Sequence, residues 1–312
     1  MNVTNRLDLP KELVDIIKSN QYERPAKRYS VTEILNPVRQ IILSRYYYNS
    51  ISTDVSDSIY ALWGSGVHKI FEDTKQDNII REFKLSIPIS LKHTTYELSG
   101  IIDKIDLKNK TIVDYKTTSK YSVKQEDWIN KGEVQMMIYA YMLKQLGIDI
   151  QYIELDTYLR DWHQSDKNKG WESNIVIHKT NVNELKLATI CKQYVVDKFN
   201  QIYKFDVALD EQVSKQMRAS TLVGLPLCDA EDRWHKPDSY AVKYPGLKKA
   251  LRVLDTEEEA EKYIHNYKGE KYSKDKMDIE FRPGEDSKCL NYCNCNQFCT
   301  HYQNIMNGVY DE

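Results

Sequence analysis

The chain has 312 residues, with 44 Lys and Arg against 46 Asp and Glu. A net charge of −2 excludes the overall basic signature of a nucleic-acid binder, so any contact with phosphates must come from a local patch. No apolar run approaches the ~20 residues of a membrane span, and the opening MNVTNRLDLPKELVDIIKSN mixes acids and bases; the expectation is a soluble cytoplasmic protein with no membrane partner.

In chain order, Pro10 with Leu13, Ile16 and Ile17 marks a short amphipathic helix in an N-terminal arm, residues 1–29. Ser30 is an N-cap for a helical stretch that runs to Tyr48 around Asn36-Pro37. Gly64-Ser-Gly-Val-His68-Lys-Ile-Phe-Glu72 reads as a helix entered through its glycines, with His68 and Glu72 four apart on one face. Phe83 to Ile89 alternates like a strand.

Gly100 to Thr117, GIIDKIDLKNKTIVDYKT, is the stretch around which the rest makes sense. Two runs rich in Ile, Val and Thr flank Lys108-Asn109, which predicts a β-hairpin. A turn closing symmetrically there pairs Asp106 with Thr111 and, further along, sets Asp103 opposite Asp114. Alternation then puts Asp103, Asp114 and Lys116 on one face with Ile101, Ile105 and Ile112, while Val113 and Tyr115 face the other way. Opposed like charges destabilise a sheet unless something positive lies between them. A divalent metal would supply it; a solvated hairpin with its charges in water is the alternative.

Glu133 to Leu146 is a strongly apolar helix in which packing accounts for Met, Ile and Tyr but not for Gln135, one turn before Tyr139. Tyr152 to Leu159 reads as a strand and Val182 to Phe205 as a long amphipathic helix. The pattern gives an α/β class, a sheet flanked by helices. Between 221 and 285, Tyr240 to Lys243 and Ala250 to Leu254 suggest two short strands, and Thr256 with Glu259 forms a capping box; this region reads as an inserted α+β subdomain. Its basic run Lys243 to Arg252 either touches a phosphate backbone or is a solvated strand pair.

The tail, residues 286–312, holds Cys289, Cys293, Cys295 and Cys299 in the spacing C-x3-C-x-C-x3-C. So many thiols in one short loop, in a chain without a secretion signal, point to a metal or cluster rather than disulfides. Cys191 and Cys228 read as structural. Twenty-three tyrosines offer platforms for single-stranded bases, although Tyr, Asn, Ile and Lys enrichment together is also what an AT-rich coding sequence produces.

Gly100-Ile-Ile-Asp103 followed by Ile112-Val-Asp114-Tyr-Lys116-Thr resembles the active-site hairpin of the PD-(D/E)XK nucleases, in the branch similar to RecB-type and CRISPR-adaptation exonucleases. The Gly-x-x-His element at His68, the Q-x-x-x-Y element at Gln135 and Tyr139, and the C-terminal cysteines follow in that family's order. The resemblance implies a restriction-endonuclease-like core over residues 30–220, with the cysteine tail packing on it. It implies Mg²⁺ or Mn²⁺ held by His68, Asp103, Asp114 and the carbonyl of Tyr115, with Lys116 orienting the attacking water and Gln135 and Tyr139 supporting Lys116 or the DNA backbone. It also implies a [4Fe–4S] cluster at the cysteines, with zinc as the alternative. Asn36 stands where the family's first cluster cysteine would be. The function implied is a metal-dependent DNA nuclease, an exonuclease acting on single strands or duplex ends in recombination, repair or phage DNA processing, with a helicase or recombination partner. The alternative is a catalytically silent scaffold that binds DNA or protein.

Overall fold

The computed structural model describes residues 2–19 and 24–309, which gather into two compact units, Met1–Pro226 and Leu227–Glu312. The first unit contains strands β1 (Asn2–Thr4), β2 (Arg28–Ser30), β3 (Ser52–Asp54), β4 (Ile79–Ser90), β5 (Thr95–Asp106), β6 (Thr111–Thr118), β7 (Tyr152–Leu159) and β8 (Ile175–Asn181). Its helices are α1 (Lys11–Ser19), α2 (Val31–Ile34), α3 (Val38–Tyr46), α4 (Ile59–Glu72), α5 (Lys120–Val123), α6 (Glu126–Gln145), α7 (Glu184–Thr189), α8 (Val196–Phe205) and α9 (Lys215–Val223).

A mixed sheet runs β2-β5-β6-β7-β8, with β4 paired to β5 as well. Because β4 takes one edge of β5 along its whole length, the other edge must serve both β2, parallel at residues 97–99, and β6, antiparallel at residues 104–106. Residues 100–103 have neither partner in these registers, and this opening in the ladder is where the site lies. β6 and β7 are parallel, so the chain must cross over between them, and α5 and α6 do so.

The hairpin register is the one computed from the turn, with Asp106 paired to Thr111 and Lys104 to Val113. Both faces of β6 are buried, Ile112 and Asp114 on one and Val113 and Tyr115 on the other. α6 covers the first face, where Gln135 bonds Asp114, and its Met136, Met142 and Leu143 are fully buried, as are Ile105 and Ile112; each such side chain contributes ~1.5–3 kcal/mol on burial. Tyr29, Tyr96 and Phe199 form a second core cluster, their ring centroids 5.1–5.8 Å apart.

Several elements differ from the sequence expectations. The stretch from Ser30 breaks into α2 and α3, since Pro37 lacks an N–H and pushes the preceding residue out of the helical region. α4 begins at Ile59, so its glycines are interior rather than at its start. The long helix after Val182 is α7 and α8 joined by a π-helical stretch, Ile190–Val195. The side chain of Cys191 lies outside the described residues.

The second unit contains β9 (His235–Lys236), β10 (Ser239–Lys243), β11 (Arg252–Leu254), β12 (Asp278–Arg282) and β13 (Glu285–Asp286), with α10 (Glu257–Asn266), α11 (Ser287–Asn291) and α12 (Thr300–Met306). β10 lies between β11 and β12, a third strand that the sequence reading did not include, and β9 pairs with β13. Thr256 caps α10 by accepting from the Glu259 N–H at 3.2 Å.

Candidate metal centre and active site

At the opening in the β5 ladder the side chain of Asp103 replaces a backbone acceptor: its Oδ2 accepts from the Tyr115 N–H at 2.7 Å. That bond lets β5 and β6 part beyond Lys104 and Val113 without leaving a buried donor unpaired, and it turns Oδ1 of Asp103 towards α4. There, His68 Nδ1 lies 3.4 Å from Asp103 Oδ1 and 3.9 Å from Glu82 Oε1. His68 Nε2 lies 3.0 Å from the carbonyl oxygen of Tyr115. A carbonyl only accepts, so Nε2 carries the hydrogen, and a neutral ring leaves Nδ1 bare. Three lone-pair-bearing atoms then face one another, all within 4.8 Å, an arrangement that needs a proton or a cation in its midst.

Glu82 was absent from the sequence reading. It stands between Arg81, paired with Lys104, and Phe83, paired with Ile102, hence opposite Asp103. Its φ of 48° is a conformation that costs a non-glycine residue of order 1–3 kcal/mol, and it breaks β4 locally beside the site. Glu72, by contrast, pairs with Lys69 at 3.0 Å, and its charge adds to the upward shift that burial gives Glu82.

Asp114 lies on the α6 face. Gln135 donates through Nε2 to Asp114 Oδ1 at 3.1 Å and accepts from Lys116 Nζ through Oε1 at 3.2 Å. Lys116 Nζ is also 2.8 Å from the buried Asp114 Oδ2, with which it forms an ion pair. Burial pushes the Asp114 carboxyl up, Lys116 opposes this, and the Asp103 charge adds to it. Burial likewise raises Glu82, with Asp103 adding to the shift. The Asp103 carboxylate beside His68 holds that imidazole above its ordinary range, against the effect of burial. Tyr139 is 3% exposed and packs on Gly100, where any Cβ would overlap its ring; glycine is required there by close approach.

The donor set of carboxylates and one imidazole, with the ligand atoms of His68, Glu82 and Asp103 facing one another within 4.8 Å, fits a hard divalent cation such as Mg²⁺ or Mn²⁺. Asp103, Asp114, Lys116, Gln135, His68 and the Tyr115 carbonyl are brought together at one place. The Tyr115 ring lies on the opposite face, 4.6 Å from the Phe71 ring.

In the second unit, Asp286, Cys289 and His301 offer ligand atoms within 4.8 Å of one another. Asp286 is buried and accepts from His301 Nε2 at 2.6 Å, His235 Nδ1 at 2.8 Å and Arg233 Nη1 at 2.5 Å. Burial raises its carboxyl, and these donors outweigh that and hold it below the usual range. Cys293 Sγ and Cys295 Sγ are 3.6 Å apart. The thiol of Cys293 is lowered to about 6, chiefly by the hydrogen bond with Cys295, whereas burial, with Asp286 adding, pushes Cys289 up to about 12. The sequence reading singled out neither Asp286 nor His301, although both flank the cysteine run, Asp286 three residues before Cys289 and His301 two after Cys299; a carboxylate and an imidazole beside the thiols were the signal that could have found them.

A mixed sheet flanked by helices, with an Asp hairpin and its lysine at the break between two strands, is consistent with the restriction-endonuclease-like fold. The model of the PD-(D/E)XK nuclease superfamily matches residues 63–300, and the chain belongs to that superfamily. Its members are typically nucleases and usually use Mg²⁺ or Mn²⁺. No curated protein matches the chain. Among solved structures, the crystal structure of SSO0001 is 14% identical, with a TM-score of 0.40 over 59% of this chain and 82% of that one.

Proposed function

We propose that this chain is a metal-dependent deoxyribonuclease that hydrolyses phosphodiester bonds. The observation that carries the reading is the facing of His68 Nδ1, Glu82 and Asp103 beside Lys116, itself held by Asp114 and Gln135. Glu82, Asp103, Asp114 and His68 would hold the ion, with the Tyr115 carbonyl as a further oxygen. A bound Mg²⁺ or Mn²⁺ supplies Lewis acidity and makes a water more acidic. Lys116, fixed before substrate arrives, orients that water and offsets charge on the scissile phosphate. Gln135 keeps the ammonium in place, and Tyr139, packed on Gly100, supports the helix that presents it. No acid or lysine of the set is missing, which weighs against a silent scaffold.

Exonucleolytic cutting in recombination, repair or phage DNA processing, alongside a helicase or recombination partner, is the finer reading that the resemblance supplies. The test is incubation with linear, circular and single-stranded DNA and with RNA, with and without Mn²⁺. Metal-stimulated cleavage of DNA that Lys116→Ala lowers by about 10²-fold or more is expected; absence of cleavage of every substrate would return the scaffold reading.

For the tail, the reading is a [4Fe–4S] cluster held by Cys289, Cys293, Cys295 and Cys299. A second reading, structural zinc, is favoured by the Cys293–Cys295 separation of 3.6 Å, close to the ~3.8 Å edge of a tetrahedron with Zn–S near 2.3 Å. Iron and zinc content of anaerobically purified protein separates the two.

A further inference from the structure

α4 is built largely of apolar residues, yet none of its side chains is buried. Tyr60 and Trp63 are 57% and 56% exposed. Their rings meet edge to face with centroids 5.4 Å apart, and the Arg160 guanidinium lies 4.0 Å over the Tyr60 ring. Together with Val67, Thr117, Tyr158 and Asn174 they line a cleft of about 160 Å³.

We propose that this cleft is a base-stacking subsite that seats one unpaired nucleobase about two nucleotides from the scissile phosphate, so that the substrate is a single strand or a frayed end. The proposal rests on the nuclease reading for its substrate. Three observations carry it. The first is position: the cleft is walled by α4, the helix that carries His68, and by Thr117, which follows Lys116 on β6 with its side chain on the Tyr115 face and lies against Gly64 of α4. Trp63 is five residues from His68, or ~7.5 Å along the helix axis, about two stacked nucleotides at ~3.4 Å each. The second is size. The cleft is far smaller than the ~300–1,000 Å³ of sites that enclose drug-sized ligands; it suits one flat ring, and a base inside a duplex is already stacked on both sides. The third is chemistry: aromatic faces beside a guanidinium match a base joined to a phosphate. A docked protein would instead need some 800 Å² of surface per partner.

The test measures binding of labelled single-stranded oligothymidine in EDTA, and cleavage of the same strand in Mn²⁺. Trp63→Ala is expected to raise the Kd for the single strand by about 5- to 150-fold, the range for losing one base–aromatic stack. Trp63→Phe should retain most of the affinity, and blunt duplex binding should not change. Oligonucleotides with one abasic position stepped along the strand should show a single position at which Trp63→Ala no longer matters. Equal binding by wild type and Trp63→Ala, with Mn²⁺ cleavage intact, overturns the subsite and leaves the nuclease reading standing. Lost binding in EDTA by Trp63→Ala supports the subsite even if wild type cleaves nothing. A change of oligomeric state in Trp63→Ala with unaltered DNA binding assigns the face to a protein contact and overturns the proposal.

Discussion

Asp114 is 4% exposed and is accompanied by one lysine and one amide, too few to stabilise a second carboxylate close by. Replacing it by Asn keeps the shape and removes the charge, so two effects of opposite sign are expected. Metal-stimulated cleavage should fall by at least ~10²-fold. In EDTA, Asp114→Asn should melt higher by up to ~4 °C, because burial and the nearby Asp103 charge both penalise this carboxylate, like charges across strands cost up to ~1 kcal/mol, and ~1 kcal/mol moves the midpoint of a domain this size by ~2–4 °C. Melting curves with and without Mn²⁺ check this; a variant that melts lower in both would give Asp114 a packing role instead. Lys116 differs in kind, since its ammonium is shared between Asp114 and Gln135, and truncating it leaves that carboxylate uncompensated.

At the scale of elements, the connection from β7 to β8 is tied down by Asp166, which accepts from Lys120, from the His163 N–H at 2.9 Å and from Lys169 at 3.3 Å. The Lys120 hydrogen bond foremost, then the His163 N–H, holds the Asp166 carboxyl well below the usual carboxylate range. A depressed folded pKa gives stability that is complete above the unfolded value of ~3.9 and is lost as pH falls through the folded one. The melting-temperature gap between wild type and Asp166→Asn should therefore be constant from about pH 7 to 5 and narrow below about pH 4; a gap unchanged at low pH would show that charge plays no part. Strands of this unit were legible to different degrees. β7 and the β5–β6 hairpin announce themselves because their apolar residues face a core with period two. β8 does not, since Ile175 and Ile177 are 37% and 62% exposed, so its pattern points away from the sheet's burial. Glu82 was within reach of the same arithmetic that placed Asp103 opposite Asp114: counting back from the pair Ser90 and Thr95 sets it against Asp103. What the count cannot supply is the φ of 48° that breaks the strand there.

At the scale of the molecule, the two units differ in what holds them. The first has a layered apolar core from Ile17 to Leu225, whereas among the described residues of the second only Ala241, Val242, Ala260, Cys295 and Cys299 are buried hydrophobics. So small a core rarely suffices without a staple, and metal affinity at the thiols would be folding free energy for this unit. Stripping metal with a strong chelator should therefore release amide protection across β10, β12 and α10 while β4 to β7 stay protected, as hydrogen exchange would record. Cys289→Ser should reproduce the pattern without chelator. Metal-free protein with full protection in both units would show that the Asp286 network and strand pairing suffice.

The amide of Tyr115 hydrogen-bonds to a carboxylate where a strand would ordinarily offer a carbonyl. Its proton thus senses the charge on Asp103 directly, while the same residue's carbonyl, in the next peptide group, meets His68. Two successive peptide groups, meeting at Tyr115, therefore join two sides of the centre, and the amide nitrogen and carbonyl carbon resonances of that residue form a built-in spectroscopic gauge of how the centre is charged, legible without any substrate.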